Sequence, residues 1–79
     1  MVIETLDFLV RSIVRNPKAV RITERPGRRG MTLNVVVDPD DLPRVIGRRG
    51  RTADAIRTVM EAITRDDVHV NFVDVAPRS

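Results

Sequence analysis

The sequence has no cysteine, no tryptophan and no tyrosine. Without cysteine, disulfides and thiolate metal sites are excluded, and a reducing, cytoplasmic setting fits. Phe8 and Phe72 are the only aromatic residues; both are expected in the core, so no surface that stacks successive bases on rings is expected. The one histidine, His69, falls in an alternating, strand-like stretch, where sheet packing or surface exposure explains it better than catalysis. No apolar run approaches the roughly 20 residues of a membrane span, and no signal-peptide pattern heads the chain. Neither Gly-x-x-x-x-Gly-Lys-Ser/Thr nor Gly-x-Gly-x-x-Gly occurs, so the common phosphate-loop and dinucleotide fingerprints are missing. The acid pairs Asp40-Asp41 and Asp66-Asp67 stand at expected helix ends, where capping accounts for them better than a carboxylate dyad or a metal site. No catalytic residue, metal ligand, cofactor or small-molecule substrate is expected.

What remains is a short, arginine-rich chain. Its 79 residues make one domain, with an ordered core over about 2–75 and a tail at 76–79. At this size a single core is possible but marginal, since such a chain buries only about 60% of its unfolded surface. With 42% hydrophobic and 32% charged residues, the composition is that of a compact domain and not of a disordered tail. The net charge is +3, and its placement matters more than its size. Residues 44–57 hold Arg44, Arg48, Arg49, Arg51 and Arg57 against Asp54 alone, so the excess positive charge lies in this one segment. Lys18 is the only lysine among the fourteen basic residues. Arginine suits bidentate, weakly hydrated contact with phosphate.

Periodicity assigns six elements. Ile3, Leu6, Leu9, Val10, Ile13 and Val14 recur at helical spacing, which predicts a helix from Val2 to Arg15, stopped by Asn16-Pro17. Ala19 to Arg25 and Met31 to Asp38 alternate, and the Gly/Pro-rich loop 26–30 between them predicts an antiparallel hairpin. Leu33, Val35 and Val37 mark its core face. Pro43 is tolerated only in a first helical turn, so a short helix capped by Asp40 runs to Ile46 and stops at Gly47. A second helix runs from Arg51 to about Arg65, with Ala53, Ile56, Val59, Met60 and Ile63 along one face. Val68 to Val75 reads as a last strand. Because it follows a helical crossover, the three-stranded sheet should be mixed. The expected class is α+β, in the order α-β-β-α-α-β, with the helices on one face of the sheet.

All four glycines bracket Arg-Arg pairs, at 27–30 and at 47–50. The first pair sits at a hairpin tip with no helix behind it, and at most adds accessory charge. The second joins two helices. There, glycines allow a tight turn, Arg48 and Arg49 must face solvent, and the following helix offers unpaired N–H groups to phosphate. The run Leu42-Pro43-Arg44-Val45-Ile46-Gly47-Arg48-Arg49-Gly50-Arg51-Thr52-Ala53-Asp54-Ala55-Ile56-Arg57-Thr58-Val59 resembles that of a KH domain of type II. More narrowly, it is similar to the small bacterial KhpA-like RNA-binding proteins, and the likeness covers nearly the whole chain. Ala53 stands where many KH domains carry a larger aliphatic residue, and Pro43 stiffens the first turn.

The resemblance implies single-stranded RNA binding with low sequence specificity, and a role as RNA chaperone or post-transcriptional regulator, extending to cell shape. The implied phosphate contacts are Gly47, Arg48, Arg49, Gly50 and Arg51, with Arg44 and Arg57 widening the field. The bases are expected to lie on Leu42, Val45, Ile46, Ala53 and Ile56, with residues 33–37 as the far wall. It also implies pairing with a second copy or with a second KH protein of the KhpB type. A protein-interaction adaptor built on the same fold is the rival reading.

Overall fold

The computed structural model describes residues 2–28, 30–64 and 67–74. Within them the chain forms α1 (Val2–Arg11), β1 (Arg21–Gly27), β2 (Gly30–Val36), α2 (Leu42–Ile46), α3 (Arg51–Ile63) and β3 (Val68–Val73), with short 3-10 turns at Pro17–Ala19, Pro39–Asp41 and Arg48–Gly50. The sheet order is β1-β2-β3, with β1 antiparallel and β3 parallel to β2. The α+β class, the element order and the mixed sheet are those expected. The expected helix end at Arg65, the acid pair member Asp66, the strand end at Val75, the tail 76–79 and Arg29 lie outside the described residues.

The register explains where the core sits. Ile22, Val35 and Phe72 share one cross-strand row, and Leu33 and Val70 pair in the next, so these side chains leave the same face of the sheet. Leu6 and Val10 of α1, Val45 of α2, and Ile56 and Met60 of α3 close over that face with Leu33, Val35, Val37 and Val70. Each fully buried aliphatic side chain contributes about 1.5–3 kcal/mol relative to exposure. On the opposite face Thr23, Asn34 and Asn71 form a polar row, in which Asn71 Nδ2 donates to Asn34 Oδ1 at 3.4 Å.

Four local expectations need correction. First, α1 ends at Arg11 and not at Arg15. The Ser12 hydroxyl donates to the Leu9 carbonyl, and the N–H groups of Arg15 and Asn16 go to the Asp41 carboxylate instead of continuing the helical ladder. Second, the hairpin strands run through Pro26 and pair Gly27 with Gly30. Proline fits because β1 is an edge strand, where a missing N–H costs no ladder bond. Third, Asp38, not Asp40, caps the turn before α2: its Oδ1 accepts from Asp40 N–H at 2.9 Å and its Oδ2 from Asn16 Nδ2 at 3.1 Å. Those two bonds hold its carboxyl below the usual range, the Asp40 N–H being the larger cause. Their contribution is present above about pH 4 and fades as pH falls through the lowered value.

Fourth, Phe8 and part of α3 are outside the core. Phe8 is 71% exposed, while Val59 and Ile63 are 41% and 48% exposed. Leu6 and Val10 already fill the inward stripe of α1, and Phe8 lies two residues from each, on the far side of the helix. Phe8→Ser should therefore change folding stability by less than about 0.5 kcal/mol, whereas Leu6→Ala, from a fully buried position, should cost about 2–5 kcal/mol. Urea titration of the two variants checks the contrast, and a large loss at Phe8 would contradict the burial pattern.

Candidate nucleic-acid interface

Two helices meet head to tail at residues 47–50. The five-residue α2 carries Pro43 in its first turn and ends with Gly47 N–H bonded to the Pro43 carbonyl at 2.9 Å. Gly47 then adopts φ 78° and ψ 170°, a combination open essentially to glycine alone. A Cβ at this position would strike the Thr52 side chain and lie 2.8 Å from the Thr52 nitrogen. Gly50 is left-handed too, at φ 74° and ψ 14°, but the space beside it is open. Arg49 between them also has positive φ, 57°. An arginine in that region costs about 1–2 kcal/mol, which the surrounding loop must offset.

This backbone path decides which polar groups face outward. Gly50 N–H donates to the Gly47 carbonyl and Arg51 N–H to the Arg48 carbonyl, so both are used inside the loop. Among the described residues, the N–H groups of Arg48 and Arg49 have no partner within the protein. They precede the first turn of the 13-residue α3, whose dipole favours an anion there. The side chains of Arg48, Arg49 and Arg51 are exposed, and none enters an ion pair among the described residues. Of the five N–H groups from Gly47 to Arg51, three are therefore used within the protein and two, those of Arg48 and Arg49, face outward.

The other arginines are engaged to different degrees. Arg44 Nε lies 3.8 Å from Asp41 Oδ1, an ion pair without a hydrogen bond. Arg57 is tied down. Its Nε donates to the Val70 carbonyl at 3.1 Å, its Nη1 to Asp54 Oδ1 at 3.1 Å, and its guanidinium sits 5.6 Å from the centroid of the Phe72 ring. Arg57 thereby covers a carbonyl on the open edge of β3 and holds α3 against that strand. Its charge is partly answered by Asp54, so it adds less to the field than its count suggests.

The apolar strip expected beneath the bases is mostly core. Val45, Ala53 and Ile56 are 0%, 1% and 4% exposed, so they support the surface from below. Leu42 and Ile46 are half-buried and are the apolar groups of the strip that reach solvent. The far wall expected from residues 33–37 is corrected as well, since Leu33, Val35 and Val37 are buried under the helices. The strand edge beside α3 is β3, because β2 is central in the sheet.

Sequence reasoning missed Asp41. The sequence places it in a capping pair, yet it is 2% exposed and its side chain caps nothing in α2. Its Oδ1 accepts from Arg15 N–H and its Oδ2 from Asn16 N–H, each at 3.0 Å, joining the α1–β1 linker to the start of α2. The acid run 38-Pro-Asp-Asp-41 hides which carboxylate turns inward, so no local signal separates Asp41 from Asp40. Among the described residues no group of acids and histidines is placed to hold a metal ion, and no helix is long and apolar enough to cross a membrane.

Gly27 and Gly30 lie at the opposite end of α3 from residues 47–50. Met31 pairs with Val68, so the hairpin tip adjoins the start of β3 and hence the C-terminal end of α3. Residues 47–50 precede its first turn. Thirteen helical residues separate the two by about 20 Å.

Comparison with known proteins gives a consistent picture. The family described as KhpA/KhpB, KH domain, matches residues 3–74. The chain is 53% identical over 75 residues to the RNA-binding protein KhpA of Streptomyces coelicolor, covering 95% of both chains. It is 47% identical over 74 residues to the protein of that name from Mycobacterium tuberculosis, covering 94% of this chain and 92% of the other. With the Clostridium perfringens protein the identity is 39% over 59 residues, covering 75% and 79%. No solved structure matches.

The loop geometry separates its two glycines. Gly50→Ala should cost about 1–2 kcal/mol, the ordinary penalty of a left-handed residue with a Cβ. Gly47→Ala should cost more, because strain and the collision with Thr52 add. Equal losses in denaturant titrations would show that Thr52 moves aside freely.

Proposed function

Because the chain belongs to the KhpA/KhpB KH-domain family, we propose that it binds single-stranded RNA through the loop 47–50, clamping the backbone between α2 and α3. The observation that carries the reading is the pair of unpartnered N–H groups at Arg48 and Arg49, set before α3 and surrounded by three exposed guanidinium groups. One or two phosphates sit on those N–H groups, and Arg48, Arg49 and Arg51 supply charge. Arg44 reaches the same backbone from α2. Bases lie against Leu42 and Ile46, with Val45, Ala53 and Ile56 fixing the floor, while Arg57 holds β3 as the opposite side. Family members of this kind clamp about four nucleotides.

The binding is weak and broad for one domain. Phe72 is covered by Arg57, which leaves Phe8 as the one largely exposed ring among the described residues, too few to stack successive bases; each missing stack forgoes roughly 1–3 kcal/mol. Pairing of two domains restores affinity through effective concentration. Val59 and Ile63, one turn apart on α3 and both partly exposed, favour such pairing with a second copy or with a KhpB-type protein. The cellular role proposed is that of a cytoplasmic RNA chaperone or post-transcriptional regulator, not an enzyme. The same apolar flank favours the second reading, an adaptor whose main partner is protein.

Charge reversal tests the clamp. Arg48→Asp with Arg49→Asp should abolish RNA binding while leaving circular dichroism and melting temperature nearly unchanged, since both side chains are solvent-facing. If about three phosphates are engaged, log K against log salt for the wild-type chain should slope near −2. Arg28→Asp, at the other end of α3, should leave binding of a short RNA almost intact. Unaltered affinity in the folded double variant removes the clamp, and no saturable RNA binding at any salt favours the adaptor.

A further inference from the structure

The α2 helix has five residues, too few to be stable by itself. Something outside it must fix its position, and with it the loop that it leads into. From Pro43 onward the coupling is tight, because the Pro43 carbonyl accepts from Gly47 N–H and the loop then closes on Thr52. The opposite end of α2 is set by Asp41. This residue occupies the cap position of α2, where an aspartate commonly accepts from its own helix. Both of its oxygens turn instead to backbone N–H groups 25 and 26 residues earlier in the chain.

Two converging N–H donors require two acceptors. An ionised carboxylate provides them, whereas an asparagine provides one oxygen and turns an NH2 group against the second donor. The charge, by contrast, works against the proposed ligand. Asp41 is an anion next to Arg44 and on the same short segment as the phosphate-facing loop. A residue whose charge opposes phosphate binding, and whose bonds fix the helix leading into the phosphate seat, is placed there for geometry.

We propose that Asp41 is the positioning residue of the loop: by bonding Arg15 N–H and Asn16 N–H it holds α2, and so Gly47 to Arg51, in the orientation that receives RNA. The inference rests on the clamp reading given above. It makes geometry and electrostatics pull in opposite directions, so the sign of one substitution separates them.

The experiment compares the full-length wild type with Asp41→Asn, using a fluorescent random-sequence RNA of about ten nucleotides, longer than the roughly four that one domain spans. Affinity should fall about five- to tenfold, although the variant gains one net positive charge, and the salt slope should stay the same because the phosphate contacts are unchanged in number. Affinity equal to or tighter than wild type overturns the proposal. In the free proteins, hydrogen exchange at Gly50 and Arg51 should accelerate in Asp41→Asn by more than exchange at the hairpin amides of Arg25 and Thr32. Uniform acceleration would mean only a general loss of stability and would also overturn it.

If Asp41→Asn does not fold, the wild type decides. Coupling is reciprocal, so saturating RNA should raise protection at Arg15 and Asn16 beyond that at the hairpin amides, and an unchanged ratio counts against the proposal. Should the wild type fail to bind RNA at all, the clamp reading falls, and the exchange of the free variant still reports whether Asp41 holds the loop.

Discussion

Two backbone N–H groups in the linker after α1 and one carboxylate before α2 join the first third of the chain to its centre. Much of the structure follows from that junction. It ends α1 at Arg11 by drawing Arg15 and Asn16 out of the helical ladder. It fixes the start of a helix too short to place itself. It also buries a charge at low cost, because both oxygens are satisfied by donors and Arg44 stands nearby as a half-exposed counter-ion.

Downstream of the junction, the loop divides its tasks between backbone and side chain. Gly47 provides a path that no other residue follows, since its Cβ would occupy the place of Thr52. Gly50 returns the chain into α3. The carbonyls of Gly47 and Arg48 consume two N–H groups, leaving those of Arg48 and Arg49 as the outward pair. The resulting surface has aligned donors and free guanidinium groups but little exposed apolar area, the balance expected of a site that holds a backbone and reads bases weakly. Arg57 belongs to a different task, the sealing of β3 against α3.

The fold was largely legible in the sequence, because α1, the hairpin strands and α3 carried clear periods and Pro43 and Gly47 marked the limits of α2. The helical crossover before β3 required a mixed sheet. The errors share a physical cause. Periodicity identifies an apolar face but not how wide a stripe the neighbours cover: Phe8, expected in the core, is exposed, and along the one apolar face expected of α3 Ala53 and Ile56 are buried while Val59 and Ile63 are exposed. Local patterns cannot show a bond between residues 16 and 41, or one between Arg57 and a strand carbonyl thirteen residues later. The loop 47–50 was legible because its glycines and arginines stand between two helical patterns, a context that the same four letters at 27–30 lack. The residue that orients it was not, because its partners are backbone groups far away in sequence.

The central claim is that the positive loop before α3, and not the like-named hairpin tip, meets RNA. The most direct measurement is an amide chemical-shift titration of the isotope-labelled protein with a short, unstructured RNA. The account predicts saturable changes centred on Gly47 to Arg51, extending to Leu42 and Ile46, with Gly27 and Gly30 still. Changes centred on Gly27 to Met31, or none at 47–51 at saturation, would contradict it.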